Sequence, residues 1–141
     1  MSRRSIYANI RVRPTIPILT RTGNATTAGT AVPLNYNSQQ FRMAFLLLVT
    51  GAVVDGSHTV SVEESANGST GWTAVPSDRL EGTIATITGT NDDAIYEQGI
   101  IPDPLKPFLR CVVVQTAATT GATFGAWIIL SSSNYTPVER A

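Results

Sequence analysis

Cysteine and histidine each occur once, as Cys111 and His58. A single cysteine permits no intrachain disulfide, which excludes a disulfide-stapled secreted scaffold. One cysteine and one histidine far apart in sequence make no recognisable zinc site, so no metal is expected. Acid is missing from the first 54 residues, Asp55 being the first carboxylate. Charge of either sign is scarce: 14% of residues are charged, against about 25% in an ordinary soluble domain. Long apolar runs are lacking too. The longest, Met43 to Val49, has seven residues, far below the roughly 20 that a membrane-spanning helix requires. No membrane partner is expected, and the opening MSRRSIYANIRV has no apolar stretch of signal-peptide length.

What is present suits one domain of 141 residues. The formal net charge is zero but lopsided. Arg3, Arg4, Arg11, Arg13, Arg21 and Arg42 precede Asp55, and all ten acids follow Val54. Such asymmetry suits an arm seeking an acidic surface, whether nucleic acid, a partner protein or a neighbouring copy; a solvated terminus is the plainer alternative. A protein partner is preferred to nucleic acid, because Tyr7 is the only stacking aromatic in the arm and the rest of the chain is acidic. A surface so poor in charge favours coverage by other proteins.

Residues 1–24 read as an extended basic arm, with Pro14 and Pro17 blocking a helix. Residues 25–141 read as a single β-sandwich domain. Phe41 to Val49 is apolar on both faces of its second half and predicts a central, doubly buried strand. His58 to Glu64 alternates, with Val60 and Val62 on one face. Asn67-Gly68 supplies a turn before Trp72 to Val75. Further strands are predicted over Thr83 to Thr88, Ala94 to Ile101, Phe108 to Gln115 and Ala122 to Leu130, with a helical turn near Ser77 to Leu80. About eight short strands indicate an all-β antiparallel sandwich with a jelly-roll-like character.

Chemistry finds little support. Asp55, Ser57 and His58 are sequence neighbours, and successive strand side chains point to opposite faces, so a triad is not expected. His58 reads as a surface histidine flanking a turn. Asn91-Asp92-Asp93 lacks the spacing of a calcium loop and reads as a polar turn. Cys111 sits in an apolar run and reads as a small buried hydrophobe. Neither catalytic residues nor a cofactor are expected. Trp72 and Trp127 could together form a sugar platform, although tryptophan in a small sandwich is more often core or interface.

The segment Val60-Ser61-Val62-Glu63-Glu64-Ser65-Ala66-Asn67-Gly68-Ser69-Thr70-Gly71-Trp72-Thr73-Ala74-Val75 resembles a hairpin of small β-sandwich proteins in tailed-bacteriophage heads. Phe108 to Val114, followed by Thr120-Gly121-Ala122-Thr123-Phe124-Gly125-Ala126, is similar to their closing strand pair. The likeness spans roughly residues 41–130. It implies a capsid decoration (cement) protein of the virion, made and assembled in the host cytoplasm. The major capsid protein or other virion proteins would be partners, and the protein would act as a homo-oligomer, often a trimer. Arg3, Arg4, Arg11, Arg13, Arg21 and Trp72 are the expected partner-binding residues. A tail-tube or tail-completion protein and a carbohydrate or host-surface module are the alternatives. Deleting residues 1–21 is expected to weaken docking while leaving the sandwich folded.

Overall fold

The apolar run at Phe41 to Val49 becomes the middle of the larger of two sheets. The computed structural model describes residues 5–36, 39–89 and 91–133 and is nearly all β. One helical turn, α1 (Ile6–Asn9), is capped by Ser5, whose hydroxyl accepts the Ala8 amide at 3.1 Å. The strands follow as β1 (Arg11–Arg21), β2 (Ala25–Ala28), β3 (Val32–Pro33), β4 (Asn35–Tyr36), β5 (Gln39–Val53), β6 (Ser57–Ser65), β7 (Thr73–Ala74), β8 (Leu80–Glu81), β9 (Ile95–Ile100), β10 (Phe108–Thr116) and β11 (Ala122–Ser133). A 3₁₀ turn at Ser77–Arg79 lies where a helical turn was expected.

The six-stranded sheet has the order β1-β11-β5-β9-β8, with β4 against β5; the five-stranded sheet has the order β2-β10-β6-β7, with β3 against β10. The pairings are antiparallel, and the sheets pack as a sandwich. Every second side chain of each long strand enters the space between them. Leu46, Leu48, Ile128 and Leu130 from the first sheet meet Val62, Leu109, Cys111 and Val113 from the second.

Residues 11–21 are not a projecting arm. β1 pairs with β11 along its length, from Arg11 opposite Leu130 to Arg21 opposite Ala122. Register shifts between Pro14 and Ile16 and between Ile16 and Leu19 accommodate the two prolines, which an edge strand tolerates because the missing N–H can face outward. Ile16 is 1% exposed. Buried Thr15 knits β1 to the opposite sheet: its hydroxyl accepts the Cys111 amide at 3.1 Å and donates to the Thr30 carbonyl at 2.9 Å. The extended character was legible; its burial within the same chain was not.

Two other expectations change. Residues 83–86 form no strand, and Ile87 alone bridges to His58. Ile84 and Ile87 are three apart, a spacing that cannot keep both on one face of a regular strand. His58 is buried rather than on the surface, at 2% exposed. It is in phase with Val60 and Val62, so the alternation that sends Val62 inward sends His58 inward as well.

The Asn67-Gly68 turn forms, within a loop longer than a two-residue hairpin. Ser65 Oγ accepts the Asn67 and Gly68 amides, and Asn67 Oδ1 accepts the Ser69 and Thr70 amides, each of the latter at 2.9 Å. Gly68 has φ +77°, and a Cβ there would approach the Phe108 ring to 2.7 Å, so glycine is required twice over. At the neighbouring edge, the buried carboxylate of Glu64 on β6 receives Arg79 Nη1 at 2.9 Å and a second bond from Nη2, with Lys106 Nζ at 3.7 Å. Arg79 immediately precedes β8, so this pair ties the two sheets together. Buried pairs of this kind specify geometry more than they add net stability.

The far end is closed by Asp55. Its carboxylate accepts the amides of Gly121 (2.7 Å), Thr120 (3.1 Å) and Thr119 (3.1 Å). These bonds, Gly121 foremost, hold its pKa below the usual carboxylate value. A depressed folded-state pKa contributes stability above the unfolded value and loses it as pH falls through the folded value. Asp55→Asn is therefore expected to lower thermal stability at neutral pH and to flatten its decline below about pH 4. Melting temperatures of both proteins across an acid titration check this; parallel pH profiles would contradict it.

Candidate functional site

The residues singled out from sequence do not converge. Arg3 and Arg4 lie outside the described residues. Arg11 is buried, with its guanidinium carbon 3.7 Å from the centre of the Tyr36 ring, and Arg13 lies 5.4 Å from the same ring. Both stand opposite core-facing partners of β11, Leu130 and Ile128. Arg21, at the far end of β1, donates from Nε to Thr27 Oγ1 at 3.1 Å. Half-buried Trp72 is on the other sheet, covered by Arg110 at 4.2 Å, which Glu63 holds by bonds of 2.9 and 2.6 Å.

Asp55, Ser57 and His58 do not assemble as a triad. His58 Nε2 lies 3.1 Å from the Asp55 carbonyl oxygen, while the Asp55 carboxylate faces the amides of residues 119–121. The His58 ring is packed among Leu48, Val113 and Phe124 between the sheets. Asn91-Asp92-Asp93 is a turn, with Asp92 Oδ1 accepting the Val53 amide at 2.7 Å and Asn91 Oδ1 accepting the Thr88 amide at 2.9 Å. Among the described residues no cluster of three or more metal-ligating side chains occurs. Burial pushes the Cys111 thiol up to about 12, so it stays protonated and unreactive.

The outstanding surface is the outer face of the six-stranded sheet. Directly opposed residues of an antiparallel pair share a face, and the register aligns three rows. One is Val12, Ile129, Phe45 and Gly99; the next is Pro14, Trp127, Leu47 and Glu97; the third is Gly125, Val49 and Ile95, with Ile18 lying over Gly125. Met43 opposite Ser131 begins a fourth. Phe45, Leu47, Val49, Trp127 and Ile129 are half-buried, and Met43, Ile95 and Ile18 are 58%, 67% and 71% exposed. Glu97 is the one charged side chain in these rows. Four strands at about 4.8 Å and three rows at about 6.8 Å give an area of roughly 400 Å², a large patch by the standard of what a monomer ordinarily exposes.

The opposite outer face differs. β6 presents Thr59, Ser61 and Glu63 there, and β10 presents Arg110 beside them. Trp127 and Trp72 thus lie on opposite sides of the molecule, and the two-tryptophan sugar platform does not form.

No family model matches the chain, and no curated protein matches it in sequence. The fold has a solved counterpart. A chain from the structure of infectious bursal disease virus, Gx strain, is similar with a TM-score of 0.50 and 10% identity. The match covers 89% of this chain and 34% of the viral one, so this chain spans about a third of the length of its counterpart. At that identity the likeness is one of fold.

The apolar face was not among the sequence-derived site residues, although its signal was visible. Phe45, Leu47 and Val49 alternate with Leu46 and Leu48, which suggested burial on both sides. β5 is central, as expected, but among the described residues only its inward face, Leu46 and Leu48, is fully buried.

Proposed function

We propose that the protein is a structural component of a virion, a head decoration protein that binds the major capsid lattice and stabilises the particle. The observation that carries this reading is the predominantly apolar outer face of the six-stranded sheet, with Glu97 the one charge in its aligned rows, a surface suited to burial against protein. The viral fold likeness and the phage-type hairpin at residues 60–75 support the same class. Such a protein acts by burying surface across subunit boundaries, so that separating them exposes apolar area to water.

The test is to add purified protein to particles of the encoding virus lacking it. Saturable co-sedimentation with heads, and heads that resist heating better, are expected. Labelling confined to tails would move the protein to the tail, and absence from purified virions would reject a structural role.

A further inference from the structure

We propose that the interior of the sandwich binds a single water molecule between Nδ1 of His58 and Oε1 of Gln115. Both residues are 2% exposed. Among the described residues, neither of these two atoms has a hydrogen-bond partner. Buried polar atoms are nearly always paired, with protein or with ordered water, so two such atoms side by side call for a common explanation.

The strand register puts them side by side. His58 and Gln115 are direct partners in the β6–β10 ladder, and both point inward. The His58 amide donates to the Ile87 carbonyl at 2.9 Å, and the His58 carbonyl accepts the Ile87 amide at 3.0 Å. The backbone groups of His58 therefore point away from β10. That makes His58 and Gln115 a non-hydrogen-bonded pair, the kind in which Cα atoms approach to about 4.5 Å and the facing side chains lie closest.

The other bonds of each side chain fix what the two atoms can do. His58 Nε2 lies 3.1 Å from the Asp55 carbonyl oxygen, which only accepts, so Nε2 carries the proton and Nδ1 is an acceptor. Gln115 Nε2 donates to the carbonyls of Arg21 at 3.3 Å and Gly23 at 3.0 Å. Those two bonds set the orientation of the amide and leave Oε1 as an acceptor too. Two neighbouring acceptors cannot bond each other, whereas a water has two hydrogens to give and bridges them. A metal ion fits less well: the pair offers only two neutral ligands, and among the described residues no cluster of three or more metal-ligating side chains occurs. The His58 ring also borders a cavity of about 10 Å³, walled by Leu48, Val53, Ile87 and Phe124 among others. That is close to the least space a water needs and excludes anything larger. The bridge joins two polar runs into one. The first leads from the Arg21 and Gly23 carbonyls to Gln115, and the second from His58 to the Asp55 loop that closes the same end of the sandwich.

His58 is the only histidine, so the full chain with isotopically labelled histidine gives ring signals that need no assignment. Long-range proton–nitrogen correlation at neutral pH is expected to show Nε2 protonated and Nδ1 bare, with Nδ1 shifted toward the position of a hydrogen-bonded acceptor. Cross-relaxation between the ring protons and water should carry the sign of a long-lived site. A crystal structure of the full chain should place a water at hydrogen-bond distance from both atoms. Gln115→Met keeps the side-chain length and removes the acceptor. It should shorten the residence of the water by about tenfold or more and move Nδ1 toward the unbonded position. Methionine also releases the Arg21 and Gly23 carbonyls, so if that variant fails to fold the spectra of the parent decide. A proton on Nδ1, direct contact between Nδ1 and Oε1, or a ring without cross-relaxation to water overturns the proposal. None of these readings depends on what the outer face of the six-stranded sheet binds.

Discussion

Deletion of residues 1–21 is expected to abolish folding rather than merely to weaken docking. The segment contributes β1, which pairs with β11 from Arg11 to Arg21. Its loss removes Ile16 from the core, and burying such a side chain is worth about 1.5–3 kcal/mol. It also removes the Thr15 hydroxyl, leaving the buried Cys111 amide without its acceptor, a penalty of about 1–3 kcal/mol. The Arg21 carbonyl, which accepts from Gln115 Nε2 at 3.3 Å, goes as well. These losses, with the β1–β11 ladder, rival the 5–15 kcal/mol that holds a typical domain folded. The truncation would further expose the twelve-residue β11 as a free apolar edge, a template for aggregation. Insoluble protein, or a soluble chain with collapsed amide dispersion in NMR spectra, is the expected result. A soluble truncated protein with native dispersion and melting temperature would refute it.

Why the sequence suggested an arm is physically plain. Two prolines, basic charge and loose alternation describe an extended segment equally well whether it pairs with its own sheet or another's. The partner of a strand is a long-range fact: β1 and β11 lie more than a hundred residues apart. Local signals did better where the determinants were local. Alternation through Val60 and Val62, the Asn67-Gly68 turn and the apolar runs at Phe108 and Ala122 all produced strands close to their expected bounds. They failed where one tertiary contact overrode local character, as at Ile87. Single residues followed the same rule. Cys111 was read correctly from its apolar surroundings, while His58 was read from its chemical type when its position in the alternation already sent it inward.

The candidate surface follows from a similar ambiguity. A strand apolar on both faces means that both faces end up covered, but its sequence does not say by what. In β5, Leu46 and Leu48 are fully buried against the second sheet of the same chain, whereas Phe45, Leu47 and Val49 stay half-buried on the other side. An apolar face left over after folding is what association requires, which is why β5 says more about partners than the arginines do. Of those arginines, Arg11 and Arg13 are engaged on Tyr36 and Arg21 on Thr27.

Val62→Asp is expected to unfold the domain, and a paired substitution tests the sheet register behind these readings. Val62 is 2% exposed and stands opposite fully buried Cys111 in the β6–β10 ladder. A carboxylate there would have Cys111, Leu109 and Val113 of β10 nearby and no cation, the Glu64 pair lying two residues further on. Burying an unpaired charge costs several kcal/mol even after the group takes up a proton, and cavity and packing losses add to it. The sum approaches the whole stability of a domain of this size. Thr59 points from the same strand to the outer face and is exposed. Thr59→Asp should therefore change stability by no more than about 0.5 kcal/mol. Chemical denaturation of the two variants beside the parent reads the contrast directly. If Val62→Asp melted like the parent, or Thr59→Asp were the one to unfold, β6 would be turned over, and the outward placement of the polar face opposite the apolar one would fall with it.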